Sequence, residues 1–373
     1  MEITLHEAAE KLQQADRIVL TAHEHPDGDA VGSTMGLMYF LQGLGKQAQV
    51  ILEDKVSKNL HILPGAREVR QLKWEQEIAE KAAEEAAEKA KAEPAEGAGS
   101  SSETVDKAGK DEEWKPEPVE ADLLVILDTS ADRIGRVKDV VKAGEVINID
   151  HHITNQEKEL PVYVDGKAAA CAEIIFELIR AMGGDFSKNL PMAQCIYTGI
   201  ATDTGFFRFS NTTAHTMHAA AELLAAGVEP NVISEALEVK PYDDIMSLAK
   251  AMEHIELLHD GRAAGVFLDY ETMQELRHTD GIVDMIRVIE GIDIAVIMKE
   301  KVKDNARVSM RSTGLDVSVI AKQFGGGGHM RAAGCGFKDT PFETAKAKLL
   351  SAVDAALDAY VPETGEEGTP GNV

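Results

Sequence analysis

The sequence predicts an α/β fold in two domains: a larger N-terminal domain with a mainly parallel sheet flanked by helices, and a smaller C-terminal α/β domain. Short apolar runs at 17–22, 123–127 and 146–149 are typical of buried strands, and helical patterns lie between and after them. From residue 261 onward strand and helix patterns alternate again, which indicates a second α/β unit. A chain of 373 residues is also too long for one small core.

The predicted N-terminal domain spans residues 1–235. Its first helix begins with Thr4 and Glu7, which have the spacing of a capping box. Glycines that follow the helical patterns are expected to end several of the later helices. The predicted elements are helix 4–15, strand 17–22, helix 30–43, strand 47–52, strands 123–127 and 146–149, and helices 171–182, 191–201, 213–226 and 231–256.

A segment of different composition, residues 73–120, interrupts this pattern. Its first part, 75–93, is nearly all Ala, Glu and Lys, which favours an exposed helix with charge pairs one turn apart. Residues 94–110 are rich in Gly, Ser and Pro and have no apolar period, so they are predicted to be disordered. We therefore expect an acidic insertion at the surface of the N-terminal domain.

A connector helix is predicted over 236–258, broken near its middle by Pro241. The smaller domain follows over 259–361, and the tail at 362–373 is predicted to be disordered. The expected elements of the smaller domain are strand 263–269, helices 271–277 and 281–290, strands 293–299 and 305–311, helix 316–324, a glycine loop at 325–329, strand 334–338 and helix 341–359.

Composition excludes several classes of protein. A formal charge of −26 leaves no broad basic face for the phosphates of duplex nucleic acid, so stable duplex binding is not expected. No apolar run approaches the roughly 20 residues of a membrane helix, and the N-terminus lacks the pattern of a secretory signal. Cys171, Cys195 and Cys335 form no CxxC pair and are expected to be reduced thiols. A cytoplasmic protein without a membrane partner is the expectation.

Acidic and histidine side chains follow the predicted strands. The carboxyl ends of parallel strands meet at one edge of a sheet, where ligands bind in open α/β folds, so these side chains should converge. Carboxylates and imidazoles together suit Mn²⁺ or a similar ion, and several buried carboxylates require cations. The candidate residues lie in four segments: His23, Asp27 and Asp29; Asp128; Asp150, His151 and His152; and Asp203.

These segments carry a specific resemblance. The spacing His-x3-Asp-x-Asp, a later strand-end Asp, the Asp-His-His triplet and the Thr202-Asp-Thr-Gly205 segment resemble the four motifs of the DHH phosphoesterase superfamily. The run Gly325-Gly-Gly-Gly-His329 is similar to the signature of the DHH-associated C-terminal domain. The resemblance extends from about residue 4 to 345, apart from the insertion. Within the superfamily, the two-domain layout is similar to the group of nanoRNases and 3′-phosphoadenosine-5′-phosphate phosphatases.

The resemblance implies two Mn²⁺ ions, for which Mg²⁺ or Co²⁺ are possible substitutes. It assigns His23 and Asp27 to one ion and Asp29, His151 and Asp203 to the other, with Asp128 bridging both. His25 falls where the family commonly has a residue that is not a ligand, such as Asn, and is expected to be a polar residue of the turn or a substrate contact.

The same resemblance suggests how catalysis is divided. Asp128 and His152 are the expected catalytic residues, with His152 facing the scissile phosphate as a hydrogen-bond or proton donor. Asp150 is expected to orient an imidazole without binding metal itself.

The C-terminal domain is expected to bind the substrate, with the active site in the cleft between the two domains. A glycine loop lets backbone N–H groups approach a phosphate or base, and an arginine can fork a phosphate. Arg208, just beyond the fourth segment, could also contact the substrate phosphate. The predicted substrate contacts are Arg208, Arg311, Ser312, Gly326, Gly327, Gly328 and His329.

The resemblance therefore implies a phosphohydrolase that degrades very short oligoribonucleotides and converts 3′-phosphoadenosine 5′-phosphate to AMP. The enzyme alternative is hydrolysis of cyclic-di-AMP or linear pApA. A non-catalytic nucleotide sensor, recruiting a partner through the acidic insertion, is an alternative of another class. A homodimer is compatible with the family resemblance.

Overall fold

The computed structural model describes residues 1–92, 114–155 and 157–360. The chain forms two compact units, the first over Met1–Val239 and the second from Lys240 onward. The segment at 94–110 and the tail at 362–373, both predicted to be disordered, lie outside the described residues. Within the described part of the chain, no helix is both long enough and apolar enough to cross a bilayer.

The first unit contains six strands and eight α-helices among the described residues. They are α1 (Leu5–Gln14), β1 (Arg17–Thr21), α2 (Gly28–Gly43), β2 (Gln47–Leu52), β3 (Arg70–Gln71), α3 (Leu72–Ala92), β4 (Val119–Leu127), α4 (Val137–Val140), β5 (Val141–Asp150), β6 (Val162–Val164), α5 (Cys171–Ala181), α6 (Leu190–Asp203), α7 (Ala214–Ala225) and α8 (Pro230–Glu238).

The six strands of the first unit form one parallel sheet in the order β3-β2-β1-β4-β5-β6. The order reverses between β1 and β4, which makes a crevice at their carboxyl ends. Apolar residues of α1, α2, α5, α6 and α7 cover one face of the sheet. The other face packs against α4 and the first residue of α3. The predicted parallel sheet flanked by helices is confirmed.

The capping box at the start of α1 is also confirmed. The Thr4 hydroxyl accepts the Glu7 N–H at 3.2 Å, and the Glu7 carboxylate accepts the Thr4 N–H at 2.7 Å. These two bonds satisfy backbone donors that a helix N-terminus leaves without partners.

Helices α2 and α6 pack unusually closely through glycines. Gly28, Gly32 and Gly36 are spaced four residues apart on the face of α2 that contacts α6. A Cβ atom at Gly32 would lie 2.5 Å from the Cys195 carbonyl oxygen and 2.8 Å from the Gly199 nitrogen. Only glycine permits this approach of two backbones.

The second unit contains α9 (Tyr242–Met252), β7 (Ile255–Leu258), β8 (Ala263–Leu268), α10 (Tyr270–Glu275), α11 (Ile282–Ile286), β9 (Ile294–Val302), β10 (Asn305–Ser312), α12 (Val317–Gln323), β11 (Gly327–His329), β12 (Ala332–Phe337) and α13 (Phe342–Ala359). Its sheet has the order β11-β12-β10-β9-β8-β7, with β8 and β9 parallel and the other pairs antiparallel. Helices α12 and α13 pack on one face, and α9, α10 and α11 on the other.

The predicted break at Pro241 in the connector helix over 236–258 is confirmed, but the prediction that its last residues are helical is wrong. Helix α8 ends at Glu238, Pro241 precedes α9, and the last four residues form strand β7. Proline cannot donate the hydrogen bond that a continuing helix needs, and it disfavours helical backbone in the residue before it. Strand β7 pairs with β8, so this end of the predicted connector belongs to the second unit, which begins at Lys240.

The predicted glycine loop at 325–329 is also corrected in part. Gly327–His329 form the edge strand β11, which pairs with β12. A Cβ at Gly326 would lie 2.2 Å from the Gly334 carbonyl oxygen, and one at Gly328 would lie 2.5 Å from that of Ala332. Small residues are needed here because this segment lies directly against β12.

The glycine contact predicts a defined loss of stability. Gly32→Ala should lower the free energy of unfolding by about 1–3 kcal/mol, because the added methyl group collides with the backbone of α6. Gly43 lies at the end of the same helix, where an added Cβ would have no atom within 4 Å, so Gly43→Ala should be neutral or stabilising. Urea denaturation of both variants measures this difference. A Gly32→Ala variant as stable as the parent would contradict the close packing.

Candidate metal centre

Four chain segments bring acidic and imidazole groups to the crevice where the strand order reverses. His23 follows β1, and Asp128 follows β4 directly with a left-handed φ of 61°. His151 follows β5, and Asp203 is the last residue of α6. Asp27 is the N-cap of α2, where its Oδ1 accepts the N–H groups of the next turn.

The carboxylate of Asp128 lies between two imidazoles. Its Oδ2 is 3.5 Å from His23 Nε2, and its Oδ1 is 3.3 Å from His151 Nε2. Asp128 itself is 2 % exposed, so neither oxygen is held by bulk water. One carboxylate therefore offers one oxygen to each of two neighbouring sites.

Apart from Asp128, His23 has one further carboxylate nearby and His151 has two. Asp27 Oδ1 lies 3.8 Å from His23 Nε2, while Asp203 Oδ2 and Asp29 Oδ2 lie 3.3 and 3.9 Å from His151 Nε2. Two groups result, within each of which the possible ligand atoms lie within 4.8 Å of one another: His23, Asp27 and Asp128; and Asp29, His151 and Asp203. A third group of this kind consists of Asp128, Asp150, His151 and His152.

Asp29 is fully buried and is held by the N-terminus of α5. The Cys171 N–H donates to its Oδ2 at 2.6 Å, and the Ala172 N–H donates to its Oδ1 at 2.8 Å. Sequence reasoning missed these two donors, because any residue supplies a backbone N–H and the contact joins residues more than 140 positions apart. A helix N-terminus favours negative charge at this place.

Asn211 is a second residue that the sequence did not reveal. Its side-chain amide donates to the Ala169 carbonyl at 3.0 Å and to the Asp203 carbonyl at 3.1 Å. Asn211 thus ties the turn before α5 to the end of α6. The only signal available in the sequence was its position eight residues after Asp203.

The titration of the site reflects its excess of carboxylates. Burial raises the pKa of Asp29 well above its usual range, and the charges of Asp128 and Asp203 raise it further. Burial, together with the charge of Asp128, raises the pKa of Asp203 to about 7, although His151 acts in the opposite direction. The carboxylates therefore resist ionising together unless a cation is present.

The pKa values of the two imidazoles are raised as well, but for an imidazole a raised pKa favours the charged form. Burial would lower the pKa of His23, but the nearby carboxylates of Asp128 and Asp27 outweigh burial and raise it to about 10. Burial would likewise lower the pKa of His151, but the carboxylates of Asp128 and Asp203 raise it to about 9. Positive charge is therefore favoured at both places.

The donor set fits divalent metal ions. Asp128 Oδ1 and His151 Nε2 are buried and have no hydrogen-bond partner among the described residues, although such atoms are normally satisfied. No lysine or arginine nitrogen in the described part of the chain lies within 4 Å of the carboxylates of Asp27, Asp29, Asp128 or Asp203. Mixed oxygen and imidazole ligands suit Mn²⁺ and similar ions.

Asp150 contacts the second imidazole of the triplet. Its Oδ1 lies 2.8 Å from His152 Nδ1 and accepts the backbone N–H groups of His151 and His152, while its Oδ2 accepts the Asn155 amide at 2.7 Å. Burial would raise the pKa of Asp150, but these hydrogen bonds lower it. Asp150 in turn raises the pKa of His152. The structure thus pairs Asp150 with the His152 ring.

His25 belongs to none of the three groups. Its ring is 86 % exposed, and its Nδ1 lies 3.1 Å from Asp54 Oδ2. Asp54 also accepts the His25 N–H at 2.9 Å.

The predicted substrate contacts lie in both units. Arg208 Nε donates to the Gly205 carbonyl at 2.7 Å. In the second unit Arg311, Ala332 and His329 occupy one row across β10, β12 and β11. Arg311 is paired with Asp284, and the Ser312 hydroxyl is buried and donates to the Leu315 carbonyl. The prediction that Ser312 contacts the substrate therefore conflicts with its position, because its hydroxyl is directed toward the turn at Leu315.

Family models match both units. The DHH family N-terminal domain matches residues 17–200, and the DHHA1 domain matches residues 267–359. A relative from Thermus thermophilus, the bifunctional oligoribonuclease and PAP phosphatase NrnA, is 30% identical over 91% of this chain and 90% of its own. The chain belongs to the DHH family. As a member of this family it is a phosphoesterase, which confirms the resemblance stated above.

Two further comparisons bear on this DHH protein. The exopolyphosphatase-related protein of Bacteroides fragilis has a similar structure, with a TM-score of 0.74, 25% identity and coverage of 95% of this chain and 96% of that one. The cyclic-di-AMP phosphodiesterase PdeA of Listeria monocytogenes is 25% identical over 93% of this chain, but the match covers only 48% of PdeA.

The raised pKa of Asp203 predicts a pH-dependent gain of stability on substitution. The folded-state pKa of about 7 exceeds the usual value, so ionising Asp203 destabilises the metal-free fold, increasingly from about pH 4 to 7. Asp203→Asn should therefore stabilise chelator-treated protein by about 2 kcal/mol at pH 7.5 and hardly at all at pH 4. Urea unfolding at both pH values measures this gain.

Asp122→Asn is the control of opposite sign. Asp122 lies in β4 and pairs with Arg17 at 2.7 Å, which lowers its pKa to about 2. That variant should lose stability at pH 7.5. If Asp203→Asn also loses stability there, mutual repulsion does not dominate the metal-free site.

Metal binding should release protons. At pH 7 the raised pKa values of His23 and His151 keep both rings protonated, whereas a metal-binding imidazole is neutral. We expect at least two protons to be released on Mn²⁺ binding, because Asp29 and Asp203, whose pKa values are also raised, add protons to those of the two imidazoles. The affinity should increase from pH 6 to 8. Calorimetric titrations in two buffers of different ionisation enthalpy count these protons. A count of zero would show that these imidazoles are not ligands.

Proposed function

We propose that this DHH protein is a Mn²⁺-dependent phosphohydrolase that degrades very short oligoribonucleotides and converts 3′-phosphoadenosine 5′-phosphate to AMP. The observation that supports this most strongly is the position of Asp128, with one carboxylate oxygen toward His23 and the other toward His151. Each imidazole also has at least one carboxylate that the other lacks, as expected of a pair of metal sites that share one ligand.

The proposed ligands of one ion are His23, Asp27 and Asp128, and those of the other are Asp29, His151, Asp203 and the shared Asp128. Two divalent ions bound by these residues would lower the pKa of water toward neutrality and would offset negative charge on phosphate oxygens. The surrounding chain keeps this donor set in place, since Asp29 is fixed by two backbone N–H groups and Asp27 by its place at the start of α2.

His152 is the proposed proton donor to the leaving oxygen. Asp150 fixes its Nδ1 at 2.8 Å, which leaves Nε2 for the substrate. The same contact raises the pKa of His152, which favours the protonated ring that a proton donor requires. Its side chain is 37 % exposed and is therefore accessible to a bound phosphate.

We also propose substrate contacts within each unit. In the first unit Arg208 has guanidinium nitrogens beyond the one bound to Gly205, and they can fork a phosphate. In the second unit Ala332 pairs with Arg311 on one side and with His329, the last residue of β11, on the other. Arg311 and His329 therefore lie in one row across the sheet with a small residue between them. A charge of −26 disfavours long polyanions over short ones.

Hydrolysis of cyclic-di-AMP or linear pApA is the second candidate. The 25% identity with PdeA favours it, although this chain spans only about half of that protein. The 30% identity with the Thermus NrnA over nine-tenths of both chains favours the first candidate.

A substrate panel tests the proposal. The metal-depleted protein is assayed with added Mn²⁺ on RNAs of two to five nucleotides, 3′-phosphoadenosine 5′-phosphate, pApA and cyclic-di-AMP. We expect turnover of the short RNAs and the bisphosphate, and a loss of at least a thousandfold in Asp128→Asn, which removes the shared charge while an asparagine tolerates the left-handed backbone.

The panel also separates the candidates. Turnover of cyclic-di-AMP at a higher kcat/KM than every other substrate would favour the second candidate. Absence of Mn²⁺-dependent turnover on all four substrates would refute both.

A further inference from the structure

We infer that Asp54 is a positioning residue for the metal site, because it holds the loop between two proposed ligands. We also infer that Lys73, in the first turn of the acidic insertion, holds Asp54 in place through an ion pair. Neither residue belongs to the proposed ligand set. The inference rests on the proposed assignment of His23 and Asp27 to one metal ion. It concerns the short loop that joins those two ligands.

The loop between His23 and Asp27 has a left-handed backbone at His25, where φ is 57°. A residue other than glycine adopts this conformation only where its surroundings hold it. Asp54 Oδ2 accepts the His25 N–H at 2.9 Å and lies 3.1 Å from His25 Nδ1. One carboxylate oxygen therefore fixes both the backbone and the ring of the residue midway between the two ligands.

Asp54 depends on the insertion for its own partner. It is 7 % exposed, and Lys73 Nζ lies 2.5 Å from its Oδ1. A carboxylate buried to this extent needs a cation or hydrogen bonds on each oxygen. Lys73 supplies the cation on one oxygen, and the His25 loop supplies the donors on the other.

The first turn of α3 is itself fixed to the sheet. The Lys73 N–H donates to the Glu53 carbonyl at 3.0 Å. The Glu53 carboxylate, 2 % exposed, accepts Arg136 N and Nε at 2.9 Å each, and Arg136 Nη1 donates to Gln76 Oε1 at 2.7 Å. Lys73 therefore has a set position relative to Asp54.

This arrangement predicts an effect on metal affinity more than on the chemical step. Without the Asp54 contact the loop at His25 gains freedom, and His23 and Asp27 are held less well at the spacing that one ion requires. Partners that orient metal ligands typically contribute 10- to 100-fold in affinity. Saturating Mn²⁺ should restore the ligand geometry and with it most of kcat.

The experiment compares Asp54→Asn and Lys73→Met with a matched control, Lys55→Met. Lys55 pairs with Glu77, which lies on α3 like Lys73, and the side chains of Lys55 and Glu77 are both nearly half exposed. Lys55 is not among the partners of Asp54. Mn²⁺ binding is measured by calorimetry, and activity on a dinucleotide is measured against Mn²⁺ concentration.

We expect the Mn²⁺ concentration at half-maximal activity to increase about tenfold in Asp54→Asn and Lys73→Met, with kcat at saturation within about twofold. Lys55→Met should match the parent, and Lys73→Arg should retain most of the affinity. The double variant should be no worse than the poorer single variant, because both substitutions remove one interaction.

Wild-type Mn²⁺ dependence in both Asp54→Asn and Lys73→Met would overturn the inference. A lower melting temperature with unchanged Mn²⁺ dependence would also overturn it, since that is the signature of a purely structural contact. Lys73 is 40 % exposed, so Lys73→Met decides the question even if Asp54→Asn fails to fold.

His23→Ala separates this inference from the ligand assignment. Weakened Mn²⁺ binding in His23→Ala with unchanged binding in both Asp54→Asn and Lys73→Met would reject the inference alone. Unchanged binding in His23→Ala would reject the assignment of His23.

Discussion

Repulsion among the carboxylates of Asp29, Asp128 and Asp203 is the constraint on which the first unit depends. Burial and neighbouring charge both raise the pKa of Asp29 and Asp203, so the fold holds these groups where they ionise with difficulty. Such a cluster is stable only with counter-charge from backbone dipoles, protonated imidazoles or bound cations. Backbone and imidazole donors are both present, and they define where a cation would fit.

The architecture keeps these groups together in spite of their repulsion. The glycines of α2 let it approach α6, so that Asp29 and Asp203, on different helices, both face His151. Gly199 is part of the same contact, since a Cβ there would lie 2.8 Å from Asp29 Oδ1. The glycines that allow close packing of α2 and α6 are consequently also required to bring the proposed metal ligands together.

Much of this could be predicted from the sequence, because strand ends and helix starts carry local signals. The apolar runs and the Thr4 capping box located the elements that carry the site. The donors to Asp29 could not be predicted, since backbone N–H groups have no sequence signature. Strand β7 differs from the predicted helix because a short apolar run fits either structure. Strand β11 differs from the predicted loop because its pairing with β12 depends on tertiary contacts.

The distribution of cations around the crevice explains why metal is the expected counter-charge. Lysine and arginine are present close by, but they are committed to other acids: Lys73 to Asp54 and Arg136 to Glu53. Among the described residues, the four proposed ligand carboxylates have only imidazoles as charged partners within 4 Å. An imidazole can give up its proton and become a ligand, whereas a guanidinium cannot. A site whose charged side-chain partners are histidines can therefore exchange their protons for a divalent ion.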